Sequence, residues 1–270
     1  MKKLLASILL LLPVTAQAWD QTPPRVIQAC APEAPYGFPQ GRTGYAECRL
    51  AYATLNDTQA KLPIWTVYTL TPAEALGCFP RTNAFVADAS IPPGQRAEPE
   101  DYTGTGYDRG HVAPDGDMSF NQITENESFL MTNMMPQLGG LNRGIWKLLE
   151  TSIRGWVVQR QQNYVIYAGP IYGAGDKTIG KNRVVVPHAF YKIVINTQTA
   201  EAAGWIFPQQ GGLGNDLTQF RAAVTIIQQQ TGLKFGFPTN VKELVPGTEW
   251  PVNYGALTAA KRAKCGSATD

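Results

Sequence analysis

Histidine is almost absent from this 270-residue chain, which holds only His111 and His188. Its four cysteines (Cys30, Cys48, Cys78, Cys265) include no Cys-x-x-Cys pair, so a Cys/His zinc site is disfavoured. No excess of either charge sign is present. Of 23 basic and 21 acidic residues, Lys2 and Lys3 fall in the first eighteen positions with no acid beside them, so the remainder is formally neutral. A chain that binds a polyanion usually carries a basic footprint, and here any such attraction must come from local clustering. Internal repeats and low-complexity tracts are also missing. The one long apolar run, residues 4–14, falls well short of the ~20 residues needed to cross a bilayer.

That run instead has the form of a secretory leader: Lys2 and Lys3, then the apolar stretch, then Ala16-Gln17-Ala18 at a cleavable spacing. The expectation is a signal peptide over residues 1–18, cleaved after Ala18, and a periplasmic or secreted product. Four cysteines in an exported chain imply two disulfides. Three pairings are open, of which Cys30 with Cys48 closes the shortest loop.

Residues 19–44 are rich in proline and glycine and read as an irregular arm fastened by a disulfide. Residues 64–70 (IWTVYTL) predict a strand. Residues 91–106, with three prolines and three glycines, predict a surface loop. Further strands are expected over 129–133, ending before Pro136, over 164–168, stopped by Gly169-Pro170, and over 184–186, 190–195 and 202–207. Trp146, Leu149, Ile153, Trp156 and Val157 form one apolar stripe, which predicts a helix over 143–159. A second helix is expected over 217–230, capped by Asn215 or Asp216 and closed by Gly232. Strands and helices mix without βαβ alternation. The fold class is therefore α+β, with a central, largely antiparallel sheet and flanking helices.

His111 stands in Tyr107-Asp108-Arg109-Gly110-His111, after the long loop. A histidine between an acid and a base on a turn suits proton transfer near neutral pH. Read alone, it equally suits a structural histidine held by a local carboxylate. His188, in an apolar strand, has no comparable polar company. Downstream, Asn142, Trp146, Glu150 and Arg154 form a four-residue ladder on one helix face. Asn142 offers an amide oxygen to a hard cation such as Mg2+, and Glu150, about 12 Å further along a straight helix, reaches it more easily through water. Read alone, these residues are better explained as a helix cap and an ordinary i,i+4 pair.

Three blocks in order change that weighting: Tyr107-Asp108-Arg109-Gly110-His111-x-Ala113-Pro114, Phe129-Leu130-Met131-Thr132-Asn133-x-x-Pro136-Gln137, and Leu141-Asn142-x-x-x-Trp146-x-x-Leu149-Glu150. Together they closely resemble the DNA/RNA non-specific endonuclease family, the ββα-metal group. The resemblance runs from about Tyr52 to Phe237 and leaves out the arm and the tail. It implies a ββα-metal catalytic motif, an N-terminal arm over 19–51 and an endonuclease domain over 52–270. It also implies that His111 is the general base and Asn142 the sole protein ligand of one Mg2+. Glu150 would orient the metal-bound waters, Arg81 and Arg154 would stabilise the phosphorane, and Arg109 with Asp108 would shape the histidine turn. The substrates implied are DNA and RNA. Whether Mn2+ replaces Mg2+, and whether a second copy or a protein inhibitor binds, stays open. Two other functions remain beside the endonuclease: a narrower phosphodiesterase of the same fold, and a non-catalytic exported nucleic-acid-binding protein.

Overall fold

The computed structural model describes residues 29–266. The leader expected over residues 1–18 lies outside them. Seven strands form the main sheet: β1 (Tyr45–Cys48), β2 (Ala53–Asp57), β3 (Leu62–Leu70), β6 (Tyr164–Ile171), β9 (Ala189–Asn196), β10 (Glu201–Pro208) and β11 (Lys242–Glu243), in that spatial order. Every neighbouring pair is antiparallel except β10 with β11. β4 (Tyr107–His111) and β5 (Met134–Leu138) make a separate ribbon, and β7 (Thr178–Ile179) with β8 (Val184–Val185) a small hairpin. The helices are α1 (Asp115–Met118), α2 (Gln122–Ser128), α3 (Lys147–Arg160), α4 (Val224–Thr231) and α5 (Tyr254–Cys265). The fold is α+β with a largely antiparallel sheet, as the sequence predicts.

Both sheet faces are covered, which is why β6 and β9 are apolar almost throughout and buried along their whole length. Tyr164, Ile166 and Ala168 face a core shared with Leu149, Ile153, Trp156 and Val157 of α3. Val165 and Tyr167 face a second core with Val224 and Ile227 of α4, and Phe38 of the arm stacks on Trp65 there. Disulfides join Cys30 to Cys48 and Cys78 to Cys265, so the shortest-loop pairing is the one formed.

Four local expectations differ from the structure. Residues 129–133 end in a 3-10 turn (Met131–Asn133), and the strand is β5, which contains Pro136. A two-stranded ribbon leaves each strand one unpaired edge, so a residue without an N–H is tolerated there. β6 runs through Gly169 and Pro170. Its pairing with β3 ends at Ala168, and a side chain on Gly169 would lie 2.7 Å from the Ile64 carbonyl oxygen. The late helix is split into a 3-10 turn (Leu217–Phe220), capped by Asp216, and α4, closed by Gly232 in the left-handed region. Arg221 makes the break: its Nε donates to the Gly204 carbonyl at 3.1 Å, its Nη2 to that of Leu244 at 2.7 Å, and it pairs with Glu249. The loop over 91–106 is not all surface either, since a 3-10 turn (Pro99–Tyr102) buries Asp101 and Tyr102.

Candidate active site

β4 carries His111 at its end, paired with Met134 of β5. The ribbon needs a glycine at position 110, because a Cβ there would sit 1.9 Å from Oε1 of the buried Gln137. The His111 imidazole lies among aromatic rings, with its centroid 5.8 Å from Phe85 and 5.0 Å, edge to face, from Phe129. Trp146 donates its indole N–H to the His111 carbonyl at 3.3 Å, which ties the strand to the helix. Burial of the ring lowers its pKa to about 4; Asp115 opposes the shift and Arg81 adds to it. Its Nε2 is buried and has no hydrogen-bond partner among the described residues.

The helix that follows is not straight. A turn of Gly139–Leu141 passes into a π turn over Asn142–Trp146, broken at Gly144 (φ −97, ψ −117), and only then into α3. The straight-helix spacing between Asn142 and Glu150 therefore does not apply, and Asn142 does not cap α3. Instead its Nδ2 donates to Asp108 Oδ2 at 3.0 Å, which leaves its amide oxygen as the atom to meet a cation. Asp108 also pairs with Arg143 at 3.1 Å. Asp108 thus holds the helix entry against the ribbon.

Glu150 is buried, and its Oε1 lacks a hydrogen-bond partner among the described residues. The ammonium of the fully buried Lys192 lies 4.0 Å from that oxygen. That ammonium lies 4.4 Å over the Trp146 ring and donates to the Val112 carbonyl at 3.4 Å. Burial raises the Glu150 carboxyl and lowers the Lys192 ammonium, and their mutual attraction opposes both shifts. Arg154 is held by Asp117 at 2.9 Å and Thr151 at 3.2 Å, while Asp117 also accepts from the Tyr68 hydroxyl at 2.8 Å. Arg81 pairs with Asp115, donates to Asn83 at 2.7 Å and lies over the Phe129 ring. Arg109 donates to the Pro99 carbonyl at 2.8 Å and lies 5.0 Å over the Phe85 ring.

Arg81, Arg109, His111, Asn142, Glu150 and Arg154 all line one cleft of about 680 Å³. Sequence reasoning missed Asp115, Lys192 and the Phe85–Phe129 pair around the imidazole. A lone lysine in the apolar strand β9 was the available signal for Lys192; Asp115, just after Ala113-Pro114, had none of its own. His188 lies outside the cleft lining, but it does have a polar partner: Asp176 is 3.0 Å from its Nδ1 at the surface.

The family model described as DNA/RNA non-specific endonuclease matches residues 31–243. The chain belongs to this family. The match begins inside the arm, further upstream than the motifs alone reached. Among relatives of this family member, human mitochondrial nuclease EXOG is 29% identical over 221 residues, covering 75% of this chain and 59% of that protein. The chain thus spans about three fifths of the human relative's length. Bovine mitochondrial endonuclease G is 32% identical over 213 residues, covering 74% of this chain and 69% of that one. A crystal structure of the EndoG/EndoGI complex superposes with a TM-score of 0.74 at 26% identity, covering 82% of this chain and 97% of that one. The periplasmic or secreted location expected from the leader is corrected here. The human and bovine relatives are both named mitochondrial, which does not support it.

Proposed function

We propose that this family member is an endonuclease that hydrolyses phosphodiester bonds of DNA and RNA with little preference for sequence or sugar. The observation that carries the reading is the convergence of His111 Nε2 and Glu150 Oε1, both buried and without a hydrogen-bond partner among the described residues, on one cleft with Asn142, Arg81 and Arg154. His111, neutral at physiological pH, accepts the proton of the attacking water. Arg81 and Arg154, each fixed on a carboxylate, present positive charge to the phosphorane oxygens as charge develops there. Asp108 and Arg109 hold the histidine-bearing strand β4 and the helix entry in register.

The donor set fits a hard divalent cation. Among the described residues no group of three His, Cys, Asp or Glu could hold a metal by itself. A cation at the Asn142 amide oxygen would therefore keep most of its waters, as Mg2+ does, with Glu150 placed to accept hydrogen bonds from them. When bound, Mg2+ supplies charge stabilisation to the phosphoryl group and the leaving oxygen. The roles proposed for this set are all towards water, metal and phosphate, and none requires a base edge or a 2′-hydroxyl, in keeping with indifference to sequence and sugar. The EndoG/EndoGI complex, described as showing the mechanism of EndoG inhibition, is a precedent for inhibition of this fold by a bound partner.

The test incubates the protein with plasmid DNA and with RNA, with Mg2+ or a chelator, beside His111→Ala and Asn142→Ala. Wild type is expected to degrade both polymers only with Mg2+. His111→Ala should lose about 100- to 10,000-fold in rate, and Asn142→Ala should need far more metal for half-maximal rate. Survival of both polymers beside wild type and Mg2+, or equal cutting by His111→Ala, would refute the reading.

A further inference from the structure

The β7–β8 hairpin takes no part in the chemistry above, yet it is built onto the wall of the cleft. Its strands pair Thr178 with Val185 and Ile179 with Val184. Ile179, Val184 and Val185 turn inward onto a small core with Leu62, Tyr102 and Met131. Its tip is fastened to Asp101: the backbone N–H and Nδ2 of Asn182 each donate to that buried carboxylate at 2.9 Å. A Cβ on Gly180 would come within 2.4 Å of Asp101, so the tip lies directly on the 3-10 turn. Tyr102 and Thr103, which follow Asp101, line the cleft. At the base of the hairpin, Lys177 Nζ lies 5.1 Å over the ring of Tyr107, another cleft residue.

With its apolar side inward, the hairpin leaves Lys177, Lys181 and Arg183 exposed, and residues 177–185 contain no acid. Asp176, just before them, is occupied by the Gly173 N–H at 2.9 Å and by His188. Residues 19–270 carry as many acidic as basic residues, and screening confines exposed charges to about 8 Å at physiological salt. Attraction for a polyanion must therefore come from clusters such as this one.

We infer that the hairpin is a docking element for the nucleic-acid backbone, holding phosphates that flank the scissile one and so favouring long substrates over short. The inference rests on the function proposed above and adds the place where the polymer outside the cleft is gripped. Its test is a binding measurement that needs no cleavage. Anisotropy of a labelled duplex of about 30 base pairs is titrated in EDTA at several salt concentrations. The variant is Lys177→Gln, Lys181→Gln, Arg183→Asn; Asn suits the left-handed backbone of Arg183 (φ 58). It should bind on the order of tenfold more weakly near 0.1 M salt, with a log–log salt slope shallower by about 2. Hydrolysis of bis(p-nitrophenyl) phosphate, which is too short to reach the hairpin, should match wild type. Lys177→Arg, Lys181→Arg keeps the charge and should bind the duplex like wild type. Wild-type affinity and slope in the triple variant would overturn the docking role, whatever the cleavage assays give. Failure of wild type to degrade plasmid DNA and RNA with Mg2+ would instead overturn the endonuclease reading.

Discussion

His111 is basic in sequence and buried in structure, and burial decides its behaviour. An imidazole among two phenyl rings has little to solvate its cation, so its pKa falls from the usual 6.5 to about 4. A base must be neutral to accept a proton, and His111 is neutral throughout the physiological range. The depressed value also fixes the sign of its effect on stability. The contribution is fully present above about 6.5, where both states are neutral, and is lost as pH falls towards 4, because the unfolded chain takes up the proton first. In a His188→Gln background only one imidazole remains, and its NMR titration should have a midpoint near 4. A midpoint at the ordinary value would show that the ring is solvated. Gly110 offers a second check at this scale. Any Cβ there meets Oε1, Cδ and Cγ of Gln137, which is fully buried and cannot swing away. Gly110→Ala should cost about 1–3 kcal/mol through overpacking, read from urea melts, and Gly110→Ala with Gln137→Ala should recover part of it. Unchanged melting of the single variant would remove the steric account.

The site comes from joining three elements, the ribbon strands β4 and β5 and the helix α3, and Asp108 is the joint. It accepts from Asn142 and pairs with Arg143 across the kinked entry to α3. Asp108→Ala should therefore lower activity about 10- to 100-fold, as loss of a group that orients a ligand does. Its side chain is only partly buried, so melting should change little; a large loss of stability with full activity would show that the joint is not functional. How far such elements can be read from sequence depends on what shapes them. Strands β3, β9 and β10 and the stripe on α3 follow from side-chain periodicity; the strands match within a residue or two at each end, whereas the helix expected over 143–159 begins only at Lys147, because the π turn over Asn142–Trp146 precedes it. The strand expected over 129–133 lies five residues further on, as β5, because Pro136 reads as a stop and only the free edge of the ribbon makes it acceptable. The break at Arg221 is set by carbonyls of Gly204 and Leu244, which are remote in sequence. Arg109, His111, Asn142 and Glu150 are legible because they stand in ordered blocks; Arg81 and Arg154 lie outside those blocks, and their roles follow only from the family resemblance. Lys192 is not legible, because its partners Glu150, Trp146 and Val112 come from other elements.

For the whole molecule, the two disulfides differ in what they constrain. Cys30–Cys48 closes a separation of 18 residues and fastens the arm to the edge strand β1. Cys78–Cys265 closes 187 residues and fastens α5 to the segment after β3. In the chain-entropy account the stabilisation grows with the loop, to about 3 kcal/mol for the shorter bridge and at most about 5 for the longer. The longer bridge has a further consequence, since Cys78 lies three residues before Arg81. Loss of that tether loosens the segment that sets Arg81 against Asp115 and the Phe129 ring. Cys78→Ala, Cys265→Ala should therefore lower the urea midpoint more than Cys30→Ala, Cys48→Ala does. It should also reduce kcat at temperatures where the variant remains folded, whereas the arm variant should keep wild-type kcat. Equal midpoints for oxidised and fully reduced protein would show that neither bridge stabilises the fold. A kcat loss in the arm variant as large as that in the Cys78 variant would show that the effect does not run through Arg81.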